Sequence, residues 1–102
     1  MALLENPGSS LIDGRKEVAV AGTEEKLSTD DSRIISVAIT AETNNTGIIV
    51  VGGSTVIASE STRRGTPLAA GDTTVLTVSQ LSAVWLDTTV NTDGVTYLAL
   101  RP

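Results

Sequence analysis

Few side chains in this sequence could do chemistry, and most of those are carboxylates. The chain has 12 Asp and Glu residues, 7 Lys and Arg residues, no His and no Cys. Without His or Cys there is no Ser-His-Asp or Cys-His machinery, no ordinary zinc site, and no side chain that normally titrates near neutral pH. The composition therefore predicts a protein that is not an enzyme and has no catalytic residues, metal or cofactor.

Three short motifs suggest ligand chemistry, and each also has a simpler structural interpretation. Asp30 and Asp31, with Glu24 as a further candidate ligand, could collect a calcium ion, but the Asp-x-Asp-x-Asp-Gly order is missing, which favours a solvated loop. Gly52-Gly53 could cradle a phosphate, but neither a helix N-terminus nor a Lys follows, so a kink or a two-residue hairpin loop is favoured. Asn44-Asn45-Thr46 fits the N-glycosylation pattern, but it is read as a chain reversal because no secretory signal precedes it.

The aromatic side chains offer one further kind of site. Trp85 and Tyr97 are the only Trp and Tyr, and there is no Phe. They lie on two strands that the Asp93-Gly94 turn is expected to join, which would make them cross-strand neighbours. An exposed pair would suit a carbohydrate-binding module, with Asp30, Asp31 or Asp87 as hydrogen-bonding groups. Packing in the core or at its rim is the simpler interpretation. A carboxylate-only glycoside hydrolase is disfavoured because so small a domain has no obvious deep cleft.

Length and charge limit the class of protein and its partners. A chain of 102 residues is the size of one domain. The net charge of −5 argues against nucleic-acid and anionic-membrane partners, because clustered Lys and Arg are needed there. The one tight basic pair, Arg63-Arg64, could contact a partner carboxylate. The start of the sequence lacks the apolar region of a signal peptide, and no apolar run approaches the ~20 residues of a membrane helix. A soluble protein made in a cytoplasm is expected.

Residues 33–58 are expected to organise the fold. Ile35, Val37, Ile39 and Ala41 alternate with smaller or polar residues, which predicts that residues 33–41 form the longest strand and lie at the centre of a sheet. Asn44-Asn45-Thr46-Gly47 would turn the chain into a second strand, residues 48–51, with both faces covered. After Gly52-Gly53, a third strand is expected at residues 55–58.

The remaining sequence also favours short strands separated by turns. Further strands are expected at residues 16–22, 73–78, 83–90 and 95–100, with an edge segment at residues 67–72 and a corner that buries Leu81. This pattern predicts an all-β fold, a small antiparallel β-sandwich or barrel-like domain over residues 16–102. Residues 1–15 show no period and are interpreted as an extended N-terminal arm. Its apolar residues are candidate contacts to a partner or to another copy of the chain: Leu3, Leu4, Leu11 and Ile12.

Three of these segments occur in an order that resembles a known type of protein. They are Glu42-Thr43-Asn44-Asn45-Thr46-Gly47-Ile48-Ile49-Val50-Val51-Gly52, the loop Gly65-Thr66-Pro67-Leu68-Ala69-Ala70-Gly71, and the strand Leu81-Ser82-Ala83-Val84-Trp85-Leu86. The pattern is similar to that of small β-sandwich structural proteins encoded in the virion-assembly regions of tailed bacteriophages, and it covers residues 16–100.

The resemblance implies a virion component without catalytic activity, assembled in the host cytoplasm. The favoured role is a capsid decoration (cement) protein that binds the major capsid protein on the outer surface and forms homo-oligomers, with a trimer favoured. A head–tail connector, tail or baseplate subunit is the alternative. The N-terminal arm and Arg63-Arg64 are then the expected partner contacts.

Overall fold

Several strands of this chain form where Val, Ile and Thr cluster, because branched side chains fit a pleated sheet better than a helical turn. A computed structural model describes residues 10–102. Its strands are β1 (Leu11–Glu17), β2 (Glu25–Lys26), β3 (Ser36–Ala41), β4 (Ile49–Gly52), β5 (Thr66–Leu68), β6 (Thr73–Leu76), β7 (Trp85–Thr88) and β8 (Gly94–Leu100). Two 3₁₀ turns accompany them, Glu60–Thr62 and Leu81–Ala83. Within residues 10–102, no helix is long and apolar enough to span a membrane.

The eight strands of residues 10–102 form two antiparallel sheets. The front sheet has the strand order β1-β8-β3-β6, and the back sheet has the order β2-β7-β4-β5. The two sheets pack face to face around a shared apolar core. The predicted all-β antiparallel sandwich is therefore confirmed.

The core sits between the sheets and follows the two-residue period of the strands. In β3 the buried residues are Val37, Ile39 and Ala41. The back sheet contributes Ile49, Val51 and Leu86 to the same cluster, and the corner residue Leu81 is buried there as expected. Each fully buried aliphatic side chain of this kind contributes roughly 1.5–3 kcal/mol. The buried core is built from Val, Ile, Leu and Ala, and Tyr97 packs against it while only partly buried.

The expected hairpin across residues 33–58 is wrong. β3 lies inside the front sheet, between β8 and β6, whereas β4 lies in the back sheet and pairs with β5 and β7. The chain therefore crosses from one sheet to the other at the Asn44–Gly47 turn. Residues 55–58 form no strand in the ladder of β4. The interior position of β3 is confirmed, but it is shorter than β1 and β8, which have seven residues each.

Part of the expected N-terminal arm is a strand. Residues 11–15 belong to β1, which pairs with β8 from Leu11↔Leu100 to Glu17↔Gly94. The sequence pattern missed it because the inward-facing positions Ile12, Gly14 and Lys16 are not uniformly apolar, and β1 has no fully buried residue. β1 is held in the front sheet by the backbone hydrogen bonds of its ladder with β8. Residues 1–9, with Leu3 and Leu4, lie outside the described residues.

Two crossover turns brace one another at one end of the sandwich. The Asn45 side-chain amide donates to the Gly94 carbonyl and accepts from the Gly94 N–H, each at 2.9 Å. The Asp93 carboxylate accepts the N–H groups of Thr46 at 3.2 Å and Gly47 at 2.8 Å. These side chains connect the β3–β4 turn to the β7–β8 turn, which explains why neither turn closes a hairpin.

Asn45→Asp should lower the free energy of unfolding by about 1–2 kcal/mol, because Asp cannot donate to the Gly94 carbonyl and adds a negative charge beside Asp93. Urea denaturation measures the loss. Asn44→Asp is the matched control, since Asn44 is exposed, and we expect a change within about 0.5 kcal/mol. Equal stability of the two variants would contradict the bracing role of Asn45.

Candidate interaction surface

The structure separates the predicted contact residues. Leu11 points away from the core and is 64% exposed, whereas its neighbour Ile12 packs against the core. The Arg63 guanidinium donates two hydrogen bonds of 3.0 Å to the Ala58 carbonyl, so this cation braces its own loop. Arg64 is exposed and forms a β-bridge with Ile57. Leu11 belongs to the front sheet, and Arg63-Arg64 belongs to the segment on the outside of the back sheet, so they do not form one site.

The outer face of the back sheet is covered by its own chain. Val50 on β4 and Trp85 on β7 point away from the main core and form a second apolar cluster with Val56 and Ala58. The segment between β4 and β5 therefore forms a cover over this face. Gly65 closes the cover with a φ of +117°, and a Cβ there would lie 2.6 Å from the Val51 carbonyl oxygen.

A buried carboxylate holds the cover in place. Asp87 lies on β7 and is only 2% exposed. Its Oδ1 accepts the N–H groups of Gly22 and Thr88, each at 2.9 Å, and its Oδ2 accepts the N–H of Ala58 at 2.8 Å. Three backbone donors replace the water that this anion loses on burial. Asp87 thus joins the β1–β2 loop and the cover to the back sheet, and it acts as a structural anchor.

The outer face of the front sheet has no such cover among the described residues. The register aligns Asp13, Leu98, Ala38 and Val75 in one row across β1, β8, β3 and β6. Val75 is 67% exposed and Leu98 is 47% exposed. Together with Leu11 they form a mostly apolar half of this face, with Asp13 at its β1 edge. We call its apolar members the front patch (Leu11, Ala38, Val75 and Leu98). An exposed contiguous set of aliphatic side chains is a typical protein-contact surface.

The other half of the front face is polar. The next row consists of Arg15, Thr96, Thr40 and Thr73, and the two last hydroxyls share a hydrogen bond of 2.8 Å. Arg15 forms ion pairs with Glu17 and Glu42, and hydrogen bonds to the carboxylates of Glu42 and Glu17 raise its pKa further above the ordinary value. The front face therefore offers an apolar contact area bordered by threonines and a small charge network.

The expected cross-strand pair of Trp85 and Tyr97 does not form. Trp85 lies in the back sheet and Tyr97 in the front sheet, because the chain changes sheets between β7 and β8. Trp85 packs in the cluster under the cover, with the Lys26 ammonium 5.7 Å from the ring centroid. Tyr97 packs against the main core and lies over Gly14, where a Cβ would overlap its phenol ring. The two rings that a sugar site would need are thus on different sheets.

The carboxylates of the acidic loop make local contacts. Asp30 accepts the N–H of Ser32 at 2.8 Å, and hydrogen bonding to Ser32 lowers the Asp30 pKa. Asp31 accepts the hydroxyl proton of Ser82. Among residues 10–102, no group of three or more His, Cys, Asp or Glu side chains could hold a metal ion.

An ion pair closes one open side of the sandwich. Lys16 on β1 points inward and its ammonium lies 2.8 Å from Oε1 of Glu25 on β2, so the pair links the front sheet to the back sheet. Oε2 of Glu25 also accepts the Ala19 N–H at 2.9 Å. The Lys16 hydrogen bond is the larger cause, and the Ala19 N–H the next, of a Glu25 pKa below its ordinary value of 4.5.

Glu25→Gln should cost up to about 1 kcal/mol of unfolding free energy at neutral pH and very little in strong acid. Because the folded-state pKa is lowered, the stabilisation is present above pH 4.5 and is lost as the pH falls through that lower value. Urea denaturation of both proteins at about pH 7 and about pH 2 tests this. Glu24→Gln serves as the neighbouring control. A stability difference that persists in acid would contradict a charge-dependent link.

Comparison with known proteins adds no assignment: no protein family, no curated protein and no solved structure matches this chain.

The sequence does not single out two exposed strand residues of the front patch, Val75 and Leu98. Val75 and Leu98 were ordinary strand residues in the pattern, and only the sheet order brings them together. Asp87 did carry a signal, because a carboxylate next to the apolar run Val84-Trp85-Leu86 must find buried donors.

Proposed function

We propose that this protein is a non-enzymatic virion structural protein that decorates a capsid and stabilises contacts between major capsid subunits. The observation that carries the proposal is the asymmetry between the two outer faces. The back sheet is covered by its own chain, whereas the front patch leaves Leu11, Val75 and Leu98 exposed. The resemblance to phage structural proteins supplies the class of partner, and the front patch supplies a surface on which that partner would bind.

Four of the described carboxylates are already held by contacts within the chain, which supports a role in binding. Asp87 and Asp93, the buried ones, are occupied by backbone N–H groups of the chain itself. Glu42 and Glu25 are paired with Arg15 and Lys16. A partner would be recognised by shape, apolar contact and the acidic surface, with the net charge of −5 disfavouring nucleic acid.

Stabilisation of a capsid would follow from mass action. A protein that binds the assembled lattice, but not the separate subunits, shifts the equilibrium toward the lattice. Many copies, each with a modest contact area, would add their contributions over the whole shell.

Particle imaging with a copy-number measurement tests the assignment. We expect density for this fold on the outer capsid surface, in many copies per particle, with the front sheet turned toward the major capsid protein. Sedimentation with tails and never with heads would refute the cement role and favour the connector or tail alternative. Absence from purified particles would refute both.

A further inference from the structure

Strand β1 forms a long sheet edge that has no partner strand on its outer side among the described residues. Among residues 10–102 it pairs with β8 alone, over seven consecutive positions without a bulge. The other sheet edges are less suited to pairing: β2 has two residues, β5 has three and contains Pro67, and β6 has four. Natural proteins usually protect an edge by shortening, proline, bulges, a covering segment or charged side chains. Within the described residues β1 has only the last of these: Asp13, Arg15, Lys16 and Glu17. Lys16 is paired with Glu25 across the sandwich. A strand that pairs with this edge must therefore match its charges.

The hydrogen bonds at the two ends of β1 show which of its residues direct their N–H and C=O groups toward the free edge. Just outside the strand, the Ser10 carbonyl accepts from the Arg101 N–H at 2.8 Å, and the Val18 N–H donates to the Asp93 carbonyl at 3.0 Å. Because the register is unbroken, the even-numbered residues direct their N–H and C=O groups toward β8. The odd-numbered residues therefore direct theirs to the free edge: Leu11, Asp13, Arg15 and Glu17.

The charges and the length of β1 together select one register for pairing with itself. We propose that two copies of this chain join through antiparallel β1 strands about a two-fold axis at Gly14. This register places Asp13 of each copy opposite Arg15 of the other, on the same face and in hydrogen-bonded pairs. A two-fold axis at Asp13 would oppose two aspartates, and one at Arg15 would oppose two arginines. An axis at Lys16 would also bring Arg15 opposite Glu17 of the other copy, but it would pair only residues 15–17 of β1. The Gly14-centred arrangement is the one that both opposes Asp13 to Arg15 and pairs all seven residues of the strand.

The resulting pair has one continuous eight-stranded front sheet. About eight new backbone hydrogen bonds form, and Gly14 suits the close approach at the axis, where the pair is not hydrogen-bonded. The two front patches lie on one surface, related by the axis. Antiparallel self-pairing of one edge closes at two copies, in contrast to the trimer that the family resemblance implies. This inference does not depend on the capsid proposal.

Sedimentation velocity of the full chain tests the pairing. Since a single edge buries a small interface, we expect a weak, concentration-dependent monomer–dimer equilibrium at about 0.15 M salt. Asp13→Lys should weaken dimerisation at least tenfold, because it places a second cation opposite Arg15 of the other copy. Glu60→Lys makes the same change in net charge at an exposed site outside β1 and should leave the dimer unchanged. A monomer at all concentrations, a trimer, or a dimer that tolerates Asp13→Lys would overturn the proposal.

Two further arms test the backbone contact and the register. Asp13→Pro removes an N–H from the free edge but none from the β8 ladder, so it should abolish the dimer while the circular dichroism stays sheet-like.

The chain has no Cys, so single cysteines can report the register. A mixture of Leu11→Cys and Glu17→Cys should form a disulfide-linked dimer on oxidation, and Leu11→Cys alone should not. A dimer that survives Asp13→Pro, or crosslinking of Leu11→Cys with itself as readily as in the mixture, would refute this arrangement.

Discussion

Asp87→Asn should lower the free energy of unfolding by about 3 kcal/mol, which is a large fraction of the roughly 5–15 kcal/mol typical of a domain. The Asp87 carboxylate accepts three backbone N–H groups while it is 2% exposed. An amide has only one acceptor oxygen, so at least one buried N–H group would face the NH₂ group. The loss of a hydrogen bond to a charged group and the new donor–donor contact both destabilise the folded state.

The same substitution should disturb the back sheet first. Gly22 and Ala58 are tied to β7 through Asp87, and Ala58 lies in the cover over Val50 and Trp85. Loosening the cover would expose an apolar face that the wild-type protein hides. Trp85 is the only Trp in the chain, so its fluorescence reports the environment under the cover during urea denaturation.

A matched exposed carboxylate separates this effect from a general loss of charge. Asp72 is exposed and accepts a single backbone N–H, that of Ala69, at 3.0 Å. Asp72→Asn should cost less than about 1 kcal/mol. The anchor role of Asp87 would be contradicted if Asp87→Asn were as stable as Asp72→Asn.

The second large effect concerns the front patch. The double variant Val75→Lys, Leu98→Lys should bind capsids at least about tenfold more weakly than the wild-type protein, because two charged side chains would have to lose water in an apolar contact. Both residues are exposed in the free protein, so its unfolding free energy should change little. Cosedimentation of the labelled protein with capsids that lack it measures the binding.

Two other exposed valines provide the control. Val20 is 53% exposed and Val90 is 36% exposed, and neither lies in the front patch. Val20→Lys, Val90→Lys makes the same change in charge and should retain binding. If the control variant lost binding equally, a general charge effect would explain the result and the front patch would not be the contact.

The sequence indicated the class of fold more reliably than the pairing of its strands. Alternation around Val37 and Ile39 marked an interior strand, and Pro67 marked an edge segment, because both signals are local. The turns at Asn44 and Asp93 showed that the chain changes direction, but a turn does not specify which sheet the next strand joins. That choice depends on contacts between distant residues, such as the bracing of Asn45 against Gly94.

The candidate surface was harder to foresee for the same reason. Leu11 is a predicted contact residue, but the sequence places it in an arm, because edge strand β1 lacks an apolar inward face and shows no period. The front patch depends on a register in which Leu98 lies beside both Asp13 and Ala38. Such a register becomes visible only when the strands are assembled.

The temperature at which heated particles release their packaged DNA tests most directly whether this protein stabilises a capsid through the front patch. Particles assembled without this protein would be heated with a DNA-binding dye, alone, with the purified wild-type protein, and with the Val75→Lys, Leu98→Lys variant. We expect the wild-type protein to raise the release temperature and the variant to leave it near that of the bare particles. An unchanged release temperature with saturating wild-type protein, or equal protection by the variant, would contradict stabilisation of the capsid through the front patch.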